Sequence, residues 1–201
     1  MVLYENVAYL VDDAHRDRAF ENLRRTIGTR PADILTASPD QLETVSKLAG
    51  SNKRGQVAKM VRAAEIAERE FNGDVAAILR RPAARARAAL KKFPGIGDPG
   101  AEKILLFNRA AAILALESNG LRVLTRIGFA REQPNYAATY RAVQRAVEPD
   151  IPNNHDWLIR AYQVLRKHGQ TICRRRAPLC GQCVVQPFCS YGRPDGDKRN
   201  P

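Results

Sequence analysis

An all-α protein is predicted by three features of the sequence: apolar residues at every third or fourth position in many windows, a near absence of alternating β-branched runs, and turn-forming residues spaced as helix connections are. Taken in order, the first amphipathic stripe is Leu3, Val7, Leu10 and Val11, and the second is Val57, Met60, Val61 and Ala64. A third runs Tyr136, Tyr140, Val143 and Val147, and a fourth Trp157, Ala161 and Leu165. Each stripe gives one helix face a core to pack against. Between them, Gly28 to Pro31, Ser38-Pro39, Gly50 to Asn52, Asn72 to Asp74, Pro94 to Gly100 and Pro149 to Asn154 carry residues that stop, cap or turn the chain.

Length and charge narrow the function classes. With 201 residues and 44% hydrophobic content, the chain can bury a core in one large domain or two small ones. Lys and Arg number 33 against 21 acidic residues, a formal net charge of +12, which suits a polyanionic partner and puts nucleic acid first among the candidates. The opening residues lack the basic start and long apolar run of a secretory signal. The longest apolar stretch, Ile104 to Leu116, is broken by Asn108 and Arg109 and is too short to span a bilayer. A cytoplasmic, nucleoid-associated protein with no membrane role is therefore expected. The Arg- and Ala-rich stretch from Arg80 to Lys92 reads either as a solvated helix face or as one turned to nucleic acid.

All four cysteines fall near the end of the sequence, at Cys173, Cys180, Cys183 and Cys189, in the spacing C-x6-C-x2-C-x5-C. In a reducing compartment, four closely grouped thiols read as metal ligands rather than disulfides. Zinc ribbons usually pair two C-x2-C knuckles, and only Cys180 and Cys183 form one here; the longer, uneven loops favour a cubane iron-sulfur cluster, with zinc as the rival. Anchoring both ends of the loop Arg174-Arg175-Arg176-Ala177-Pro178-Leu179 on such a group would present three guanidinium groups to phosphate.

Phe93-Pro94-Gly95-Ile96-Gly97 lies between a helix expected over Ala83 to Lys92 and another opening at Pro99, which makes a helix-hairpin-helix. Pro94 stops the first helix, and the two glycines let the backbone turn tightly enough for amide N–H groups around Gly95, Ile96 and Gly97 to approach a phosphate. Asp98 is expected to cap the second helix, with Pro99 at its first position. A Gly-x-Gly turn alone is common. Joined to the cysteine motif and the positive charge, it becomes specific.

These two motifs together resemble the endonuclease III superfamily of base-excision repair glycosylases, over nearly the whole chain. The resemblance implies a 4Fe-4S cluster on Cys173, Cys180, Cys183 and Cys189, and duplex DNA as partner. It also places a catalytic carboxylate in the segment after the second hairpin helix, here Leu116-Glu117-Ser118-Asn119-Gly120-Leu121-Arg122-Val123-Leu124. That segment is similar to the motif of the adenine-specific mismatch glycosylases, with Asn119 and Arg122 to Leu124 in register, so Glu117 stands where the family has Asp and Arg122 is expected among the DNA-binding residues. Breaking an N-glycosidic bond builds positive charge on the sugar, which an enclosed anion stabilises. Bifunctional members of the family carry a Schiff-base lysine at the start of the second hairpin helix. Pro99 occupies that place here and offers no amine, while Lys103, one turn further on, is the remaining candidate nucleophile. Near the front of the chain, Asp12, Asp13, His15 and Arg16 stand where relatives contact the gap left by an extruded nucleotide; they read either as a base pocket, centred on Asp13 and His15, or as an ordinary cluster at a helix end. His155 and His168 read as a turn residue and a helix C-terminal cation.

The expected organisation is a helical barrel domain with the hairpin over 1–110, a smaller helical domain with the cluster loop over 111–192, and a frayed tail over 193–201, the two lobes enclosing a groove. The helix that precedes the barrel in the relatives has no match at the start of this sequence. The expected function is that of a monomeric, monofunctional DNA glycosylase that hydrolyses the bond to a damaged or mispaired base. The alternatives are a non-catalytic lesion-binding relative and a glycosylase with lyase activity through Lys103.

Overall fold

The structure is a computed structural model of the chain and describes residues 1–8, 13–47 and 53–193. Among these residues the regular structure is entirely helical, and the chain divides into two compact units, Met1–Ala110 and Ala111–Pro201. Among the described residues no helix is long and apolar enough to cross a membrane.

The first unit holds α1 (Val2–Val7), α2 (Asp13–Thr26), α3 (Pro31–Thr36), α4 (Pro39–Ser46), α5 (Lys53–Phe71), a 3-10 segment (Val75–Arg80), α6 (Ala83–Leu90) and α7 (Asp98–Phe107). Its core joins Val7, Ala19, Leu23, Ile34, Leu42, Val45, Met60 and Ala64, with α1, α3 and α4 all packed on α5. The sequence sets the helix starts. Ser38 and Gln41 form a capping box in which the Ser38 Oγ accepts from the Gln41 amide at 3.3 Å and the Gln41 Oε1 accepts from the Ser38 amide at 2.8 Å, with Pro39 at the first helical position. The first stripe is shorter than expected: α1 ends at Val7 because Ala8 is extended, at φ −148° and ψ 148°, and Leu10 and Val11 lie outside the described residues, as do Gly50 to Asn52.

The second unit holds α8 (Ser118–Ile127), α9 (Tyr136–Val147) and α10 (His155–Thr171), with 3-10 turns at Glu148–Asp150, Cys180–Gln182 and Gln186–Phe188. Asn135 and Asn154 cap α9 and α10, accepting from the amides of Ala138 at 2.9 Å and Trp157 at 3.0 Å. α8 packs chiefly on α10, and the buried face of α10 carries Leu158, Tyr162 and Gly169. The expected stripe of Trp157, Ala161 and Leu165 is thus displaced by one residue. Trp157 remains 48% exposed, because a 100° step per residue leaves neighbouring stripes nearly equivalent in a mixed sequence.

Candidate active site and cysteine pocket

In the first unit, α6 and α7 pack on each other as the arms of the hairpin. The Arg87 Nη1 donates to the buried Glu102 at 3.0 Å, and Lys91 pairs with Asp98 across the turn at 2.7 Å. Gly95 sits at φ +73°, a conformation that glycine alone adopts without strain. Phe93 and Ile96 are buried, and the Phe93 ring stacks on Phe71 at 5.8 Å. Ile96 is the middle one of the three turn residues expected at phosphate. Its side chain is sealed inside the turn and its amide donates to the Phe93 carbonyl at 3.2 Å, which leaves Gly95 and Gly97 as the exposed residues. The cap also differs, since Gly97 rather than Asp98 precedes α7 and the Asp98 carboxylate is drawn to Lys91.

Lys103, on α7, has its Nζ 2.7 Å from the Glu5 Oε1 of α1 and 5.9 Å from the centre of the Tyr4 ring, with 17% of its side chain exposed. The amine proposed as a nucleophile is therefore engaged by a carboxylate. Asp13 opens α2, where an acid suits the helix N-terminus, and His15 is exposed two residues on; Asp12 lies outside the described residues.

In the second unit, Glu117 is the N-cap of α8 and curls back over the helix it starts. Its Oε1 accepts from the Gly120 amide at 2.7 Å and its Oε2 from the Asn119 Nδ2 at 2.8 Å. The Asn119 Oδ1 accepts in turn from the Arg122 Nη2 at 2.8 Å. Arg122 also donates to the Gly169 carbonyl at 2.7 Å and, through Nε, to the Cys173 carbonyl at 3.0 Å. This differs from the phosphate contact expected of Arg122. Its Nε and Nη2 are engaged inside the protein, and burial lowers its pKa while the nearby Cys173 and Glu117 oppose that change. A hydrogen-bonded chain thus runs from the Glu117 carboxylate to the backbone of the first cysteine. Tyr136, at the head of α9, completes the surroundings: 47% of the residue is exposed, and partial desolvation first, with the Glu117 charge second, pushes its phenol up to about 12.

Cys173, Cys180, Cys183 and Cys189 all line one pocket, walled by Ile172, Pro178, Gln186, Tyr191 and Gly192. Burial and the three other cysteines push the Cys180 thiol up, against the opposing pull of Arg126. The Cys189 Sγ donates to the Arg126 carbonyl at 3.2 Å, and the Cys183 Sγ lies 3.6 Å from the His168 Nε2. His168 therefore faces a thiol. Burial lowers its pKa, where the sequence suggested a helix-end cation. Among the described residues no three His, Cys, Asp or Glu side chains converge as ligands of a single metal ion. The loop residues Arg174, Arg175 and Arg176 are exposed.

Sequence reasoning missed Arg126, Gly169 and Tyr136 as parts of this site. Gly169 was the one with a signal. A glycine within an amphipathic helix costs about 1 kcal/mol relative to alanine and marks a packing reason.

No protein-family model matches the chain. It is 27% identical over 176 residues to endonuclease III of Sulfolobus acidocaldarius, covering 86% of this chain and 73% of that one. Its fold is similar to that of endonuclease III in a non-covalent DNA complex, with a TM-score of 0.76, 20% identity, and coverage of 95% of this chain and 82% of that one. A thermostable thymine-DNA glycosylase gives a TM-score of 0.74 at 18% identity, with the same coverage. In its helical fold, its hairpin and its sequence, the chain is similar to the endonuclease III-like helix-hairpin-helix glycosylases.

Proposed function

We propose that this chain is a base-excision repair DNA N-glycosylase, a monomer that hydrolyses the bond between a damaged or mispaired base and deoxyribose in duplex DNA without cutting the strand. The observation that carries this reading is the Glu117 carboxylate, held by the Gly120 amide and Asn119 in a fixed orientation while each oxygen keeps a lone-pair direction free. An anion fixed before the reaction stabilises a developing oxocarbenium ion without reorganising, which is the need of glycosidic cleavage. The base must leave the stack to reach it. The exposed glycines of the hairpin and the exposed Arg174, Arg175 and Arg176 supply contacts to phosphate, which position the duplex without reading its sequence.

Two residues support hydrolysis rather than lyase chemistry. Pro99, in the second position of α7, has no amine, and the Lys103 amine is taken by Glu5 at 2.7 Å.

The four cysteines fit an iron-sulfur cluster better than zinc. All four line one pocket, and their uneven spacing, with a single C-x2-C pair, departs from the two paired knuckles usual in zinc ribbons. Cys173, Cys180, Cys183 and Cys189 would hold a 4Fe-4S cluster, whose contribution when bound is to fix the loops between them.

The test is a panel of duplexes carrying uracil, mispaired thymine, oxidised pyrimidines or oxoguanine, followed by alkali. At least one should release its base, and Glu117→Gln should reduce release by about a hundredfold or more. Borohydride trapping on an abasic duplex should yield no covalent complex. Because one Glu117 oxygen serves the cap and the other holds Asn119, a second reading is a lesion-binding protein without chemistry; it would bind such duplexes and release no base from any of them.

A further inference from the structure

A buried cation sits between the cysteine pocket and the arginine loop. Arg126, in the last turn of α8, is 7% exposed. Its Nη1 lies 3.5 Å from the Cys173 Sγ and donates to the Arg174 carbonyl at 2.8 Å, while its Nη2 donates to the Arg175 carbonyl at 3.2 Å. The guanidinium covers the Tyr191 ring at 4.4 Å, and its Nε, also buried, finds no acceptor among the described residues.

No carboxylate is among these partners, and a buried cation is costly unless an opposite charge stands beside it. The groups within reach that can carry that charge are the thiols of the pocket. As metal ligands they are thiolates. As free thiols they leave the guanidinium uncompensated. A second observation concerns the loop itself, where Ala177 is held at φ +46°, a left-handed conformation that a non-glycine residue keeps only when its surroundings hold it there.

We propose that Arg126 is a positioning residue that makes the shape of the Arg174–Arg176 loop depend on the metal-bound state of the cysteines, an inference that rests on the iron-sulfur reading above. With thiolates in the pocket, the guanidinium stays at Cys173 and its N–H groups fix the carbonyls of Arg174 and Arg175, leaving those side chains facing outward. Without them, the cation is drawn toward water and the two carbonyls lose their donors. DNA affinity then falls although no DNA-contacting residue has changed.

The test compares wild-type protein, Arg126→Gln and Arg126→Lys, purified without oxygen, with folding checked by far-UV circular dichroism. Iron content and the lifetime of the visible absorption band under a chelator report the cluster, and trypsin cleavage after Arg174, Arg175 and Arg176 reports the loop. Arg126→Gln should lose the band faster and be cleaved about tenfold faster than loaded wild type, as a segment that opens more often would be. Chelator-stripped wild type should match it. Arg126→Lys keeps the charge and should restore the band lifetime, with loop cleavage in between. A coloured wild type alongside an Arg126→Gln protein of equal band lifetime and equal cleavage would overturn the proposal alone. So would Arg126→Lys matching Arg126→Gln in band lifetime, or stripped wild type cleaved as slowly as loaded. A colourless, iron-free wild type would overturn the cluster reading itself, and this inference with it.

Discussion

Gly169 on α10 lies so close to Asn119 on α8 that a Cβ added to it would stand 2.7 Å from the Asn119 carbonyl oxygen and 2.9 Å from its carbonyl carbon. These are backbone atoms and cannot swing aside. Gly169→Ala must therefore part the two helices, at a cost of about 1–3 kcal/mol. Asn119 would move with α8 and loosen its hold on the Glu117 Oε2, and Arg122 would lose its bond to the Gly169 carbonyl. The expected outcome is a lower urea midpoint and slower base release at a temperature where the variant is still folded. A variant unchanged in both would mean that α8 and α10 do not approach this closely.

The two hairpin glycines should separate cleanly. Gly95 needs its left-handed φ of +73°, and a Cβ there would come 3.2 Å from the Asn6 Oδ1, so Gly95→Ala should cost about 1–2 kcal/mol of stability. Gly97 has an ordinary extended backbone at φ −92° and ψ −170°, and a Cβ there would meet nothing nearer than the Pro99 Cδ at 3.8 Å. Nothing inside the chain requires it to be glycine. If a phosphate approaches the amide at that point, Gly97→Ala should leave the melting temperature unchanged and weaken duplex binding. Equal affinity for the wild type and Gly97→Ala would argue against phosphate seating at this turn.

Glu117 joins two roles that substitution can divide. Asp is among the best N-cap residues and keeps the charge, so Glu117→Asp should hold the stability of α8 to within about 0.5 kcal/mol. Its shorter arm moves the carboxylate by about 1 Å, enough to change the rate of base release by up to about a hundredfold in either direction. Asn119→Ala keeps both charge and cap but frees the Glu117 Oε2 and leaves the Arg122 Nη2 with one partner fewer. It should slow base release with little change in duplex affinity, read from single-turnover rates and binding measured separately.

What the sequence disclosed and what it hid follow from the range of the interactions. The tight turn at Gly95, the cap or turn at Ser38-Pro39, and the grouping of the four cysteines are local, and the residues that build them are close in the chain. Arg122 and Arg126 look alike in sequence to any surface arginine. What makes them internal is the set of carbonyls at Gly169, Cys173, Arg174 and Arg175, which only the packing of α8 against α10 and the cysteine loop brings near. Lys103 was in the same position, because its partner Glu5 is 98 residues away. Trp157 was misplaced for another reason. Leu158 and Tyr162 form an equally good stripe one residue over, and only burial chooses between them.

Tyr4 and Tyr136 should titrate late, each pushed from 10.0 up to about 12, chiefly by partial desolvation, with Asp17 assisting at Tyr4 and Glu117 at Tyr136. A phenol whose folded pKa is raised binds its proton more tightly in the folded state. Its contribution to stability is complete below pH 10 and is lost as the pH rises through 12. Phenolate absorbance in the folded protein should therefore show late-titrating tyrosines, of which Tyr4→Phe removes one and Tyr136→Phe the other. Glu117→Gln removes the smaller of the two causes acting on Tyr136, so it should shift that phenol part of the way back toward 10 and leave Tyr4 where it is. An unchanged titration of Tyr136 in Glu117→Gln would mean that the ring and the carboxylate do not share one pocket, and the surroundings drawn here for Glu117 would have to be redrawn without the head of α9.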